Sequence, residues 1–202
     1  MPAHTGLRRL LIAIGAVVAA ALALVAGSIL VSVPVSGVSM TPTLSDGDRI
    51  VVDPWSDPEI DRFDIVVAKF STNGAQVVKR VIGLPGDRVK IEKVGIRTGI
   101  VSVQPGGMGP WQIVDNPAWN ARWGPTASNC CTAAGKMTNV VTPQLVPDGM
   151  LFLIGDNFAA SDDSRGHGWA PVELVRNTAA WRVYPIGAIG RIPAGVTLRP
   201  AT

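Results

Sequence analysis

The sequence has little charge, few aromatic residues and almost no histidine or cysteine. Charged residues make up 16% of the 202 positions and aromatic residues 5%, and the formal net charge is only +3. No run of five or six basic residues occurs, so the charge pattern does not indicate a nucleic-acid-binding protein. Two histidines, His4 and His167, and no C-x-x-C spacing give no basis for a zinc site. We therefore expect no metal and no nucleic-acid partner.

The two cysteines are adjacent, at Cys130 and Cys131. Neighbouring residues can close a disulfide only in a strained eight-membered ring, and they do not easily meet the usual distance criteria for a bridge. The pattern favours two free thiols in a loop. A redox or interchain role is the alternative.

Glycine and proline, in contrast, are abundant, with 22 and 16 residues spread along the chain without a period. They indicate many turns and hence a mainly β protein. Short apolar runs at regular spacing predict strands of a barrel-like body. These runs are RIVVD (49–53), DIVVAKF (64–70), QVVKRVI (76–82), RVKIEKV (88–94) and MLFLI (150–154).

The pattern loosens between these runs, over residues 95–147. This stretch has little periodicity and contains three of the six tryptophans. We interpret it as an inserted, poorly regular subdomain that divides a catalytic core into residues 34–94 and 148–202. The second part holds a possible short helix over 171–176 and a strand at AAWRVYPI (179–186).

The N-terminal part is dominated by one apolar run, residues 10–33, which contains no charge. At 1.5 Å rise per residue such a helix crosses the roughly 30 Å hydrocarbon core of a bilayer, and Pro34 ends it. Arg8 and Arg9 precede the run, so the positive-inside rule predicts that residues 1–9 are cytoplasmic and the rest lies outside. A cleaved secretory signal is the alternative, but its apolar region is shorter, about 7–15 residues.

The scarcity of histidine also limits the possible nucleophiles. A Ser-His-Asp triad would need His4, which precedes the anchor, or His167, which lies in a glycine-flanked loop typical of a surface. A catalytic carboxylate pair is conceivable at Asp162 and Asp163, but adjacent residues on a loop point apart. A solvated or helix-capping role suits them better. A serine can instead be activated by a lysine whose pKa is lowered by burial.

Lys79, within the strand pattern VVKRVI, is the candidate for such a lysine. The alternative is an edge strand on which Lys79 faces water. Adjacent strand residues face opposite sides, so Arg80 points away from Lys79 and needs its own acidic partner. Asp156, which follows the MLFLI strand, is a reasonable candidate for that partner.

Four sequence blocks, in order behind the apolar run, resemble the type I signal peptidases of bacteria, which are membrane-bound Ser-Lys proteases. They lie between residues 39 and 165, spread over the region after the anchor. The blocks are SMTPTL (39–44), the pair GDRIVV (47–52) and RFDIVV (62–67), KRVIGLPGD (79–87), and GDN (155–157) with SDDSR (161–165).

The resemblance implies a role for several residues of these blocks. Ser39 is the nucleophile, Lys79 the general base, and Ser161 the serine that hydrogen-bonds and orients the lysine. Two supporting ion pairs are implied, Arg80 with Asp156 and Asp163 with Arg165. The chain departs from the family at Phe158-Ala159-Ala160, where polar residues are usual. At the position of Gly37 some members carry a serine that helps to hold the oxyanion, and others carry glycine.

The implied activity is removal of N-terminal signal peptides from exported preproteins after an Ala-x-Ala site, through an acyl-enzyme and without a cofactor. It places the protein in the bacterial cell membrane, with one span and the catalytic domain on the outer face. The walls of the substrate site are expected from residues near the dyad, and ordinary barrel core is the alternative for each of them. The substrate-binding candidates are Val35, Gly37, Met40, Leu44, Ile50, Val67, Val77 and Val78.

Other functions remain open at this point. A specialised maturation protease of a secretion or conjugation system belongs to the same family. Self-cleaving repressor-type Ser-Lys proteins share some of these sequence motifs. They lack a membrane anchor, however, and would need a helix-turn-helix where this chain has its apolar run. A catalytically dead membrane-anchored β module would have no reason to keep Ser39, Lys79 and Ser161 together.

Overall fold

A long N-terminal helix precedes a mainly β body, as the sequence predicts. The computed structural model describes residues 3–52, 59–94, 98–120 and 129–201. The first helix, α1, spans Ala3–Val31, and its segment Gly6–Val25 is long and apolar enough to cross a membrane. The helix ends two residues before the predicted boundary, because Val33 and Pro34 pair with Ile50 and Arg49 as an edge strand.

The described residues contain fifteen strands and two further short helices, α2 (Pro117–Asn120) and α3 (Ser164–His167). In chain order the strands are β1 (Val33–Pro34), β2 (Arg49–Val52), β3 (Ile65–Ala68), β4 (Val77–Gly83), β5 (Arg88–Val94), β6 (Thr98–Gln104), β7 (Gln112–Asp115), β8 (Asn129–Cys130), β9 (Met137–Thr138), β10 (Gln144–Leu145), β11 (Met150–Ile154), β12 (Ala170–Pro171), β13 (Val175–Tyr184), β14 (Gly190–Arg191) and β15 (Thr197–Pro200).

The first sheet carries the candidate catalytic residues. Its order is β1-β2-β13-β3-β4-β11-β12, with β14 beside β13, and its pairings are antiparallel. Strand β4 lies between β3 and β11, with Arg80 opposite Ile65 on one side and Ile154 on the other. At Arg80, strand β4 is therefore an interior strand of the sheet, and the residues paired with Arg80 on the two adjacent strands are both apolar.

The second sheet has the order β15-β7-β6-β5-β8-β9, with β10 beside β5. It differs from the expectation of a poorly regular insertion, since β5 and β6 pair without interruption from Arg88↔Gln104 to Val94↔Thr98. It also recruits 88–94 and the C-terminal strand β15 from outside the predicted insertion. Local periodicity cannot report such distant pairings. Residues 95–97 and 121–128 of the predicted insertion lie outside the described residues.

One hydrophobic cluster joins the two sheets. Ile82 and Phe152 of the first sheet pack with Val89 and Val103 of the second. A second cluster, around Met40 and Ile50, lies under the turn that holds Ser39. The two sheets thus share a core, and the candidate nucleophile sits at the edge of a separate apolar cluster.

Several local predictions can be compared with the structure directly. Strands β5 and β11 have the predicted bounds, whereas the possible helix over 171–176 is only a 3-10 turn, Val172–Leu174. The preference for free thiols at Cys130 and Cys131 is wrong. The two form a disulfide across a cis peptide bond, with their Cα atoms 3.0 Å apart, in a buried position.

Candidate active site

The candidate nucleophile lies in a turn between β1 and β2. The backbone N–H of Thr41 donates to the carbonyl of Val38 at 3.1 Å, and that of Leu44 donates to Met40 at 2.9 Å. The side chains of Met40 and Leu44 are buried in the core, and their packing holds the turn against the hydrophobic cluster. Ser39 remains half-buried at its start. A rigid turn with an accessible hydroxyl is what a nucleophilic serine requires.

Lys79 of β4 lies against this serine. Its Nζ donates to Ser39 Oγ at 2.8 Å and to the carbonyl of Val78 at 3.0 Å. Only 3% of Lys79 is exposed, which excludes the alternative of an edge lysine facing water. The structure therefore brings together the two residues that the sequence blocks carry 40 positions apart.

The environment of Lys79 favours a neutral amine. Burial lowers its pKa from the ordinary value of 10.5, and this is the largest influence. The carboxylates of Asp163 and Asp162 raise it in part, and the guanidinium of Arg165 lowers it further. Because an amine accepts a proton only when neutral, a lowered pKa suits the role of a general base.

Arg80 faces the other side of β4 and forms a buried ion pair with Asp156. Its Nε donates to Asp156 Oδ1 at 2.8 Å and its Nη2 donates to Oδ2 at 2.6 Å, with side-chain exposures of 1% and 0%. A third donor, Nη1, reaches the carbonyl of Phe63 at 2.8 Å. The arginine fork and carboxylate geometry match as two parallel hydrogen bonds. This is the partner that the opposite-face reasoning suggested for Arg80.

A second buried pair joins Asp163 and Arg165 at the start of α3. Arg165 Nε and Nη2 each donate to Asp163 at 2.8 Å, and Nη1 donates to the carbonyl of Phe158 at 2.7 Å. Asp163 also accepts from the backbone N–H of Gly155 at 3.1 Å. The pair thus ties α3 to the loop that follows β11.

That loop holds the nucleophile turn through Asn157, a residue to which the sequence analysis assigned no role. The backbone N–H of Asn157 donates to the carbonyl of Ser39 at 2.9 Å. Its side-chain Nδ2 donates to the carbonyl of Val38 and to Thr41 Oγ1, each at 3.1 Å. Its place in the GDN block was a signal that it matters, but the sequence could not show that it contacts the main chain around Ser39.

Ser161 does not make the hydrogen bond that the resemblance implies. Among the described residues its Oγ is buried without a hydrogen-bond partner, and Lys79 Nζ donates to Ser39 and to Val78. It nevertheless lies beside Gly155, where an added Cβ would clash with Ser161 Oγ and with the carbonyl of Ser39. Ser161 is therefore in the site, and the expected contact with the lysine is not formed in this structure.

The chain is similar in sequence to known proteins. The sequence profile of "Signal peptidase, peptidase S26" matches residues 7–184. The signal peptidase I of Bacillus caldolyticus is 32% identical over 154 residues, which cover 75% of this chain and 78% of that protein. The chain belongs to the S26 family of signal peptidases.

Two further proteins are similar to this S26 peptidase. The signal peptidase I of Streptococcus pneumoniae serotype 4 is 29% identical over 174 residues, 79% of this chain and 84% of that protein. A crystal structure of a signal peptidase I from Enterococcus faecalis V583 aligns with a TM-score of 0.40 and 26% identity, covering 61% of this chain and 98% of that one.

Several predicted substrate-binding residues of this S26 peptidase are core residues in the structure. Five of them are at most 3% exposed and pack in the cluster under the Ser39 turn: Val35, Met40, Leu44, Ile50 and Val67. Leu44, Ile50 and Val67 have no exposed surface in this structure. Their side chains are used in packing against one another. Val77 and Val78 are half-buried and Gly37 is exposed, so these three stay accessible.

Gly37 has a conformation that explains its glycine. Its φ is +82°, in the left-handed region, and its N–H donates to Asp46 Oδ1 at 2.7 Å. A serine there would meet open space but a strained backbone. In the described residues the backbone N–H of Ser39 has no hydrogen-bond partner, which leaves it available to an oxyanion.

The described part of the S26 peptidase shows no group of three or more His, Cys, Asp or Glu residues placed to hold a metal ion. The side chains around Ser39 are an amine, hydroxyls and amides rather than a ligand set. The arrangement as a whole places the Ser39 hydroxyl against a buried lysine amine, within a network of supporting hydrogen bonds.

Proposed function

We propose that this S26 peptidase is a membrane-bound endopeptidase that removes N-terminal signal peptides from exported preproteins after an Ala-x-Ala site. Ser39 and Lys79 form its catalytic dyad. The observation that carries this proposal is the 2.8 Å contact between Lys79 Nζ and Ser39 Oγ, made by a lysine that is 3% exposed. No cofactor takes part in the reaction.

The chemistry follows from the dyad. Neutral Lys79 takes the proton of the Ser39 hydroxyl while Oγ attacks the carbonyl carbon of the scissile bond. The backbone N–H of Ser39 donates to the oxyanion that forms. Lys79 then passes the proton to the leaving amine, and the mature protein departs from a serine ester. Water, deprotonated by the same amine, hydrolyses that ester and releases the signal peptide.

The supporting residues hold the dyad rather than touch the substrate. Asp163 and Arg165 fix the start of α3 and the Gly155 N–H, and the Arg80–Asp156 pair fixes the other face of β4. Ser161 Oγ and the carbonyl of Ser39 both lie beside Gly155. Since the two ion pairs and the Ser161 Oγ are buried within this network, we assign these residues structural roles in catalysis.

The substrate backbone is expected to add as a strand beside β4. In the described residues, β11 pairs with β4 from Arg80 to Gly83 only, so this side of Val77 and Val78 is free of a strand partner. An extended peptide bound there would present its carbonyl to the nucleophile, as in other cases of strand addition. Val77 and Val78 would contact small side chains before the cut.

The apolar helix α1 is assigned as a single membrane span with its N-terminus in the cytoplasm. Arg8 and Arg9 lie at its N-terminal end, and positive charge favours the cytoplasmic side. The catalytic domain then lies on the outer face of the bacterial cell membrane. Ser39 follows the last helical residue, Val31, by eight positions, which keeps the site near the membrane surface.

The test is cleavage of a purified secretory precursor by the full chain in detergent. We expect cleavage after the Ala-x-Ala site and its loss in Ser39→Ala and Lys79→Ala. Ser36→Ala is the matched serine control, since Ser36 is exposed in the same turn region, and Lys93→Ala, exposed on β5, is the lysine control. Both controls should keep full activity. Full activity in either dyad variant would contradict the proposal, and cleavage of a single specialised precursor alone would favour a dedicated maturation protease.

A further inference from the structure

Asn116 and Trp119 reach the catalytic loop from the second sheet, although nothing in the sequence marks them as part of the site. Asn116 follows β7 and is 4% exposed, and Trp119 belongs to α2 and is buried as well. Trp119 Nε1 donates to the carbonyl of Gly155 at 3.3 Å, and its ring packs edge-on against Phe158 at 5.5 Å. The second sheet thus contacts the loop that holds Ser39.

Asn116 makes the more specific contact. Its Nδ2 donates to Asp156 Oδ1 at 3.1 Å, and its own Oδ1 accepts from the backbone N–H of Ala118 at 3.0 Å, which caps the first turn of α2. The amide is therefore held at one end and directed at Asp156 at the other. A buried amide with both functions satisfied has one orientation.

Asp156 connects this amide to the nucleophile turn. Arg80 occupies one lone pair on each carboxylate oxygen. The remaining contact on Oδ1 comes from Asn116, and that on Oδ2 comes from Thr43 Oγ1 at 2.5 Å. Thr43 belongs to the same turn as Ser39. The Asp156 carboxylate thus accepts one hydrogen bond from the second sheet and one from the turn that contains Ser39.

The next residue in the chain completes the connection. Asn157 holds the carbonyls of Ser39 and Val38 through its backbone N–H and its side-chain amide. A shift of the Asp156 carboxylate would disturb the Thr43 hydroxyl that donates to it, in the same turn whose carbonyls Asn157 holds. Such a shift would change the approach of Ser39 Oγ to a bound carbonyl, to which reaction rates are sensitive.

We infer that Asn116 is a positioning residue of the peptidase, through which the second sheet fixes the Asp156 carboxylate and thereby the Ser39 turn. The inference rests on the proposed Ser39–Lys79 function. Asn116 touches neither the dyad nor the expected substrate strand. Its loss therefore lowers the rate of the chemical step and leaves substrate affinity and the titration of Lys79 unchanged.

The decisive variant is Asn116→Ser. Serine keeps an acceptor for the Ala118 N–H, so the cap of α2 is retained, but it is too short to reach Asp156. We expect kcat to fall about tenfold with KM within about twofold, because a hydrogen bond to a charged group is lost without a change in the substrate site. The pH at which the rate levels off should stay where it is in the unaltered chain.

Asn129→Ser is the matched control. Asn129 lies in the same sheet and makes two hydrogen bonds, with Lys93 and Asn139, both away from the catalytic loop. It should leave kcat unchanged. Near-ultraviolet circular dichroism of each variant reports whether Trp119 keeps its packing, so that loss of fold is separated from loss of positioning.

Thr43→Val provides the second arm, because it removes the hydroxyl at the other end of the same bridge. We expect it to lower kcat as well, and the combined variant to lose less than the product of the two single losses, since both act through Asp156. If Asn116→Ser does not fold, the inference is tested by Thr43→Val alone, and an unchanged kcat in Thr43→Val overturns it. Unchanged kcat in folded Asn116→Ser, or losses that multiply fully, also overturns it.

Ser39→Ala measured alongside keeps the two proposals apart. Activity lost in Ser39→Ala but intact in Asn116→Ser contradicts only the positioning role. Activity retained in Ser39→Ala contradicts the dyad itself, whatever the Asn116 variant does.

Discussion

The buried pair of Arg80 and Asp156 gives a stability prediction that can be worked from the structure. Arg80→Ala removes two hydrogen bonds to Asp156 and one to the carbonyl of Phe63, and it leaves a carboxylate with no exposed surface. Removing one partner of a buried pair costs about 3–5 kcal/mol. Thr43 and Asn116 still donate to the carboxylate, so we expect the lower end, about 3 kcal/mol.

The assay is urea unfolding of the full chain in detergent, followed by circular dichroism, with the free energy of unfolding extrapolated to zero urea. Asp162→Asn is the control, because its pair with His167 is exposed on both sides and should contribute at most about 1 kcal/mol. The reasoning is refuted if Arg80→Ala destabilises no more than this control does.

Three other expectations follow from the site. Gly155→Ala should abolish most cleavage, because the added Cβ would clash with Ser161 and with the carbonyl of Ser39. Gly187→Ala is the control and should keep its activity, since the space around Gly187 is open. Equal cleavage rates in the two variants would contradict the tight packing at Gly155. The cleavage rate should rise with pH up to the lowered pKa of Lys79 and then level off, since the neutral amine is the base, and a flat profile from about pH 6 to 10 would count against it. Burial raises the pKa of Asp64 above its ordinary value of 3.8, so the carboxyl group binds a proton more readily in the folded than in the unfolded chain. The stability that protonated Asp64 contributes is therefore lost as the pH rises through the raised pKa. Asp64→Asn should remove this contribution to the pH dependence of the free energy of unfolding, and an unaltered pH dependence would contradict the prediction.

The parts of the fold that local patterning can encode are those that the sequence predicts best. The bounds of strands β5 and β11 match the prediction, because short alternating or apolar runs bounded by turn residues favour a strand. The direction of Arg80 follows from the two-residue period of a strand. The long helix follows from the uncharged apolar run that makes up most of its length.

The parts that depend on contacts between distant segments could not be predicted in the same way. β15 joins β7 across more than 80 residues, and no local signal reports that pairing. Asn116 is one polar residue in a loop until the fold places it beside Asp156. The burial of Leu44, Ile50 and Val67 likewise depends on which sheet face closes over them, so apolar residues near a dyad are not by themselves a substrate pocket.

The central claim is that Ser39 is the nucleophile, and trapping the acyl-enzyme tests it most directly. The full chain is mixed with a synthetic precursor peptide, quenched in acid within its first turnover, digested and analysed by mass spectrometry. The account predicts an ester of the signal-peptide fragment on Ser39, and none in Ser39→Ala or at Ser36. Cleavage without any adduct on Ser39, or an adduct on another residue, would contradict it.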